Sequence, residues 1–429
     1  VSCSCPALII SAPASGQGKT TVTAALAYHY RQQGLDVRVF KTGPDFLDPK
    51  ILQYASKNPV YQLDLWMVGE SRSRYLLYKT ACEADLILIE GVMGLYDGKP
   101  STADLSRLYA IPVLAVIDAS GMAATFAAIA HGLFSFDPKL ATVGVIANNV
   151  GSHNHATMLR ESLPEHITWY GALHRNNDIA LGDRHLGLLS VDEIKDIDQR
   201  LQLAASMLMD NGLDMIPAAV SFAEIATEKP AQLLTGLRIG MARDSAFSFY
   251  YQANIDLLIE MGAEIIYFSP INDASLPDVD SLYLPGGYPE LHLKDLENNF
   301  SMRTAIRRHH KEGKPMLAEC GGLLYLLESL SDADGNTGCM TSILPGHAKL
   351  HKKLVNLSMQ SIPLEQGYIR GHSFHYSTVE TKLKAQFHTE PNGKFGQAEA
   401  VYSVNKLLAS YMHLYMPSNP IATAEIFTP

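Results

Sequence analysis

A chain of 429 residues is too long for one ordinary hydrophobic core and predicts about two to three domains. With 47% hydrophobic and 18% charged residues it reads as globular protein, and 44 acidic against 34 basic residues leave a formal charge of -10. That balance excludes general nucleic-acid binding and leaves an anionic small substrate only if a local basic pocket receives it. The five cysteines (Cys3, Cys5, Cys82, Cys320, Cys339) are odd in number and scattered. They argue against a disulfide framework and for a reducing, cytoplasmic setting, and Cys3-x-Cys5 reads as a surface feature. The opening residues show neither the basic start nor the apolar core of a signal peptide. The apolar stretch Ile111–Phe134 is interrupted by Asp118 and Gly121, so it reads as a buried strand and an Ala-rich helix rather than a membrane span.

Taken in order, Ala7–Ile10 is a short apolar strand, followed by the loop Ser15-Gly16-Gln17-Gly18-Lys19-Thr20-Thr21 and a helix from Val22 to Gln33. Strand, glycine loop and helix form a phosphate cradle. Backbone N–H groups converge, the helix N-terminus adds positive potential, Lys19 meets phosphate oxygens, and the Thr20 hydroxyl can ligate Mg2+. The strict pattern wants glycine where Pro13 stands. A second strand, Val37–Lys41, runs into a turn carrying Asp45 and Asp48, and a third, Asp85–Ile89, delivers Glu90 and, further on, Asp97. Parallel strands end on one edge of a sheet, so Lys41 and these acids are expected beside the phosphate loop, with Thr20 and Glu90 as metal candidates. Individually each acid serves equally well as a cap or turn former. Strands Val113–Ile117 and Thr142–Ala147 follow, the second leading to Asn148, placed either to face the nucleotide base or to make a turn. The alternation predicts a doubly wound parallel sheet. Downstream, Gly182–Leu188 reads as a polar loop with Arg184 and His185 available to carboxylates.

Periodicity fades after Met209, which places an ATP-type domain over 1–222, a linker over 223–236 and a second α/β domain over 237–429. Strands are expected at Leu237–Ala242, Glu264–Phe268 and Ser281–Leu284, with a helix over Ala253–Met261. The most telling stretch is Met316–Leu324. An apolar run feeds Cys320, two glycines follow, and an apolar helical segment comes next. That is the pattern of a nucleophile elbow, and its bland alternative is a buried cysteine at a helix start. The turn at Pro285–Glu290 offers N–H groups at Gly287 and Tyr288 which, with that of Gly321, can form an oxyanion hole. A base is required as well, and two segments offer one by context, Arg370–Tyr376 and Ala409–Tyr415; spacing does not choose between them.

Read together, nine stretches resemble the cobyrinic acid a,c-diamide synthase family, glutamine-dependent amidotransferases of the corrin pathway. They are Ser15–Thr21, Lys41–Asp48, Glu90–Gly98, Arg184–Leu188, Ala246–Tyr251, Leu284–Glu290, Ala318–Gly322, Gly371–Tyr376 and Ser410–His413. The resemblance implies a dethiobiotin-synthetase-like P-loop domain followed by a class I glutaminase-like α/β domain. It also implies ATP with Mg2+, glutamine and a corrinoid as reactants, and neither nucleic acid nor membrane as partner; a homodimer is allowed. It assigns the nucleophile to Cys320 and the base to His413. The ATP site falls to Ser15–Thr21 and Lys41, the metal to Thr20, Glu90 and Asp45, and carboxylate positioning to Asp48 and Asp97, with Arg184 and His185 available. Many class I glutaminases carry Glu two residues after the base, where this chain has Tyr415, so the site is expected to be a Cys–His dyad. The alternatives are amidation of hydrogenobyrinic acid or nickel-sirohydrochlorin by the same machinery, or a non-catalytic P-loop ATPase with a degenerate glutaminase module.

Overall fold

The computed structural model describes residues 2–429 apart from 185–186, 189–190, 192–193, 210–215 and 394–395. It divides into two compact units, Val1–Thr227 and Glu228–Pro429.

In the first unit the strands are β1 (Ser2–Ser11), β2 (Val37–Thr42), β3 (Tyr61–Leu63), β4 (Leu86–Glu90), β5 (Val113–Asp118), β6 (Thr142–Val150), β7 (Trp169–His174) and β8 (Ala219–Ala223). Seven run parallel in the order β3-β2-β4-β1-β5-β6-β7, and β8 pairs antiparallel with the start of β1. Helices between them cover the sheet, so its central strands are buried on both faces and read as unbroken apolar runs such as Ala7–Ile10. The chain visits β2, β3 and β4 on one side of β1 before crossing to β5, which makes the carboxyl end of β1 the topological switch point. Three strands are additions to the expected set. The three-residue β3 carries too little pattern to be seen, and β7 and β8 lie at the margins of the sheet. Where a loop is expected, Asp183–Arg184 pairs antiparallel with Gly187–Leu188; His185 lies outside the described residues.

One expectation fails in this unit. Cys3 is disulfide-bonded to Cys82, leaving Cys5, Cys320 and Cys339 as the free thiols. The two residues are 79 apart in the chain, but β1 and the helix Glu70–Ala81 pack together and bring their Cα atoms within 5.1 Å. Spacing alone hides that proximity. Among the described residues no helix is long and apolar enough to cross a membrane.

The second unit is built on β9 (Arg238–Ala242), β10 (Glu264–Phe268), β11 (Ser281–Leu284), β12 (Met316–Glu319), β13 (Asn356–Leu364), β14 (Gly367–His375), β15 (Ala400–Val404), β16 (Leu407–Ser410) and β17 (His413–Tyr415). The main sheet runs β10-β9-β11-β12-β16-β15, parallel up to β16 and antiparallel beyond. Alternate residues go to opposite faces. Leu282, Leu284, Met316 and Ala318 enter one core, and Tyr283 and Leu317 enter the other. A separate antiparallel sheet pairs β13 with β14 and β14 with β17. The chain therefore leaves the main sheet at Ser410 and joins the second sheet at His413.

Candidate functional site

The first site forms at the carboxyl edge of the parallel sheet. Gly16 and Gly18 adopt positive φ (75° and 92°), and Gly18 caps a helix, α1 (Lys19–Gln32), whose first-turn N–H groups are free to meet a phosphate. Ser15 and Gly16 are exposed at the loop tip. Lys19 Nζ donates to the carbonyls of Ala14 (3.1 Å) and Met93 (2.7 Å), and burial pulls its pKa down. The loop is held from behind. Asn148 Nδ2 donates to the Gln17 carbonyl at 2.9 Å, and Gln17 Oε1 accepts the Asp118 N–H at 2.8 Å. A Cβ on Gly18 would lie 2.1 Å from Asn148 Nδ2. Asn148 thus braces the phosphate loop, a role only the fold reveals.

Beside the loop, Lys41 gathers the acids. Its buried Nζ donates to Asp48 (2.7 Å) and Glu90 (2.8 Å) and stands 3.6 Å from Asp45. Burial disfavours its charge, but the three carboxylates outweigh that and hold it protonated. Lys41 in turn keeps Asp48 below the usual carboxylate range despite burial, while burial pushes Glu90 up. Thr20 Oγ1 donates to Glu90 Oε1 at 2.7 Å, whereas Glu90 Oε2 is buried without a hydrogen-bond partner. A hydroxyl and an unsatisfied carboxylate oxygen at a phosphate loop fit a Mg2+ ion that completes its shell with water and phosphate oxygens. Among the described residues no group of three or more His, Cys, Asp or Glu forms a ready-made cation cage. Asp97 is exposed and accepts the Gly94 N–H at 3.0 Å, a turn contact.

The second site lies at the end of β12. Cys320 takes φ 44°, ψ -105°, a conformation strained for a residue with a side chain, and stands directly before the helix Gly321–Leu326. This is the elbow expected from the sequence. The Cys320 N–H donates to Ser410 O at 2.8 Å, which fixes the end of β16 beside Cys320. Three residues on, His413 is buried. A Cβ on Gly286 would lie 2.3 Å from His413 Cε1, and one on Gly321 would lie 2.9 Å from the Gly287 nitrogen. Gly286 and Gly287 therefore make one wall, touching His413 at one residue and the segment after Cys320 at the next. Tyr288 packs its ring edge-on to Phe249.

Both histidine segments singled out from the sequence meet here. His372 is the register partner of His413, and their rings stack with centroids 5.1 Å apart. The Tyr251 hydroxyl is 2.8 Å from His372 Nδ1, and burial lowers His372 to about 3. Burial also raises the Cys320 thiol, with Glu290 adding to the rise, and lowers His413 well below the ordinary imidazole value. Both shifts favour the uncharged forms. An uncharged thiol and an uncharged imidazole suit general-base activation of the thiol as it attacks.

Sequence reasoning passed over three buried polar residues around this pair. Glu319 Oε1 accepts the Leu414 N–H at 3.0 Å and Oε2 accepts the Tyr283 hydroxyl at 2.8 Å. Asn254 donates to Leu414 O at 2.8 Å and accepts the Met416 N–H at 2.9 Å. An acid closing a buried strand is itself a signal, because an unpaired one would be too costly to keep there.

Comparison with known proteins finds a family for each half of the chain. Residues 8–189 match the CobQ/CobB/MinD/ParA nucleotide binding domain, and residues 238–421 match the CobB/CobQ-like glutamine amidotransferase domain. The chain is 58% identical to hydrogenobyrinate a,c-diamide synthase of Stutzerimonas stutzeri strain A1501, covering 99% of each. It is 55% identical to the protein of that name from Pseudomonas aeruginosa strain PAO1, covering 99% of this chain and 98% of that protein. Identity to cobyrinate a,c-diamide synthase of Herminiimonas arsenicoxydans is 47%, covering 98% and 96%. With likeness running end to end through both units, the chain belongs to the a,c-diamide synthase family of glutamine-dependent amidating ligases.

Proposed function

We propose that the chain amidates the a- and c-carboxylates of hydrogenobyrinate, taking nitrogen from glutamine and energy from ATP. The metal-free ring is favoured by the two relatives above 50% identity that carry that name; cobyrinate, named for the relative at 47%, is the second reading. Residues 1–222 act as the synthetase, 237–429 as the glutaminase, and 223–236 link them. In the synthetase, Ser15–Thr21 and Lys41 hold ATP. Thr20, Glu90 and Asp45 would hold Mg2+, which when bound neutralises phosphate charge. A ring carboxylate, positioned by Asp48 and Asp97 with Arg184 and His185 available, attacks the γ-phosphorus, giving an acyl phosphate and ADP.

In the glutaminase, Cys320 Sγ attacks the side-chain amide carbon of glutamine while His413 takes the thiol proton. The C–N bond breaks, His413 returns that proton to the leaving nitrogen, and ammonia departs from a thioester that water hydrolyses. The N–H groups of Gly287, Tyr288 and Gly321 receive the charge developing on the carbonyl oxygen. Ammonia displaces phosphate from the acyl phosphate and yields the amide. The observation that carries this reading is the strained Cys320 elbow, with Gly286 and Gly287 bridging from its following residue to buried His413.

The test is Cys320→Ser assayed with ATP, Mg2+ and either corrinoid acid, using glutamine or an ammonium salt. Loss of glutamine-driven amidation with retention of the ammonia-driven reaction is expected. A variant that still uses glutamine would refute the assignment of Cys320, and a wild-type protein that amidates neither acid would refute the activity.

A further inference from the structure

Two residues after His413 stands Tyr415 rather than a carboxylate. The structure holds the base by other means. Glu319 and Cys320 are adjacent, as are His413 and Leu414, and a hydrogen bond of 3.0 Å from the Leu414 N–H to Glu319 Oε1 ties the two pairs together. The far oxygen of Glu319 is held by Tyr283, whose ring is fully buried. Asn254, also fully buried, takes the carbonyl of the same Leu414 and the N–H of Met416. The backbone on the C-terminal side of His413 is thus gripped on both edges by side chains from the main sheet and the helix Gln252–Glu260. Gly286 and His372 confine the imidazole itself.

We propose that Glu319 is a positioning residue for the glutaminase reaction, setting His413 relative to Cys320 through the backbone of Leu414. It touches no reacting atom. It holds the main chain of the base rather than its ring. The strand that carries the nucleophile thereby also carries the group that sets its partner, and the two move as one body. This inference rests on the Cys320–His413 reading above.

The experiment compares Glu319→Met and Glu319→Gln with wild type, using glutamine and ammonium salt as alternative nitrogen donors. Methionine fills the same space but accepts no hydrogen bond, leaving the Leu414 N–H unsatisfied. Glutamine can accept from Leu414 and donate to Tyr283. For Glu319→Met, glutamine-driven kcat should fall about 100-fold, the order expected for misplacing a catalytic group by about 1 Å. KM for glutamine and the ammonia-driven rate should stay within about threefold of wild type. Glu319→Gln should restore glutamine-driven turnover to within about threefold. Full glutamine turnover in Glu319→Met would overturn the proposal. So would loss in Glu319→Gln equal to that in Glu319→Met, because chemistry at the carboxyl and not position would then be at stake. Equal loss of the ammonia-driven rate in Glu319→Met would overturn it too, by making Glu319 a determinant of the fold. A wild-type protein without glutamine-driven turnover would instead be a failure of the functional reading itself.

Discussion

Replacing Glu319 with Gln should make the second unit more stable, and by an amount that grows with pH. Burial raises the Glu319 carboxyl from 4.5 to about 8, so the folded protein keeps it protonated at pH 7 while the unfolded chain ionises it. A folded-state pKa above the unfolded one means that the contribution is complete below pH 4.5 and is lost as pH rises through 8. At about 1.4 kcal/mol per pH unit, holding that proton costs about 3 kcal/mol at pH 7 and about 1 kcal/mol at pH 5. Protonated Glu319 turns its O–H to the Tyr283 oxygen, and glutamine reproduces that pattern, accepting from Leu414 and donating to Tyr283, without the proton. The stability difference between variant and wild type should therefore widen by about 2 kcal/mol from pH 5 to pH 7. All other titrating groups, Glu290 and His372 among them, are common to both proteins and largely cancel in the difference. Both tryptophans, Trp66 and Trp169, lie in the first unit and would report the wrong half. The assay is urea unfolding of the full chain followed by hydrogen exchange in peptides spanning 316–326 and 407–416. A difference that does not change with pH would refute the reasoning, since the carboxyl would then be ionised in the folded protein.

Two glycine substitutions separate the two half-reactions. Gly286→Ala puts a methyl group 2.3 Å from His413 Cε1, against a ring that His372 backs on its stacked face, so glutamine-driven turnover should drop about 100-fold while ammonia-driven turnover persists. Initial rates with each nitrogen donor decide it, and equal loss of both would count against a local effect. Gly18→Ala meets Asn148 at 2.1 Å and must hold φ near 92°, a strain of about 1–2 kcal/mol before the clash is counted. It should weaken ATP binding by at least about tenfold and lower both donor reactions together, as read by nucleotide titration and by amidation rates.

The phosphate loop was legible because every part of it is local. The strand, two glycines, lysine, threonine and helix fall within Ala7–Gln32, and the fold only had to supply the edge on which they stand. What props the loop was not legible. Asn148 reaches Gln17 across 131 residues, and an asparagine after a strand looks the same whether it braces a loop, turns a chain or faces a base. The acids show the same limit. That Asp45, Asp48 and Glu90 share an edge follows from parallel strands, but that all three face one buried ammonium, leaving a single oxygen of Glu90 unsatisfied, depends on side-chain directions that no pattern encodes.

The second site shows how far burial can be read backwards into sequence. Cys320 stood out because a strand, a cysteine and two glycines are consecutive, and the strained φ of 44° follows from forcing a strand straight into a helix at that residue. The choice between His372 and His413 could not be made from spacing because the fold makes them neighbours, paired in register and stacked. An apolar strand that ends in Glu does carry information, however. A carboxyl buried there survives only if donors reach it, and in a parallel sheet the nearest donors at a strand end come from the adjacent strands and the segments that follow them. β12 lies between β11, whose Tyr283 supplies one donor, and β16, whose following segment contains His413 and Leu414 and supplies the other. The buried acid therefore points to the stretch of chain that contains His413, and the hydrogen bond from Leu414 to Glu319 is that link in the structure.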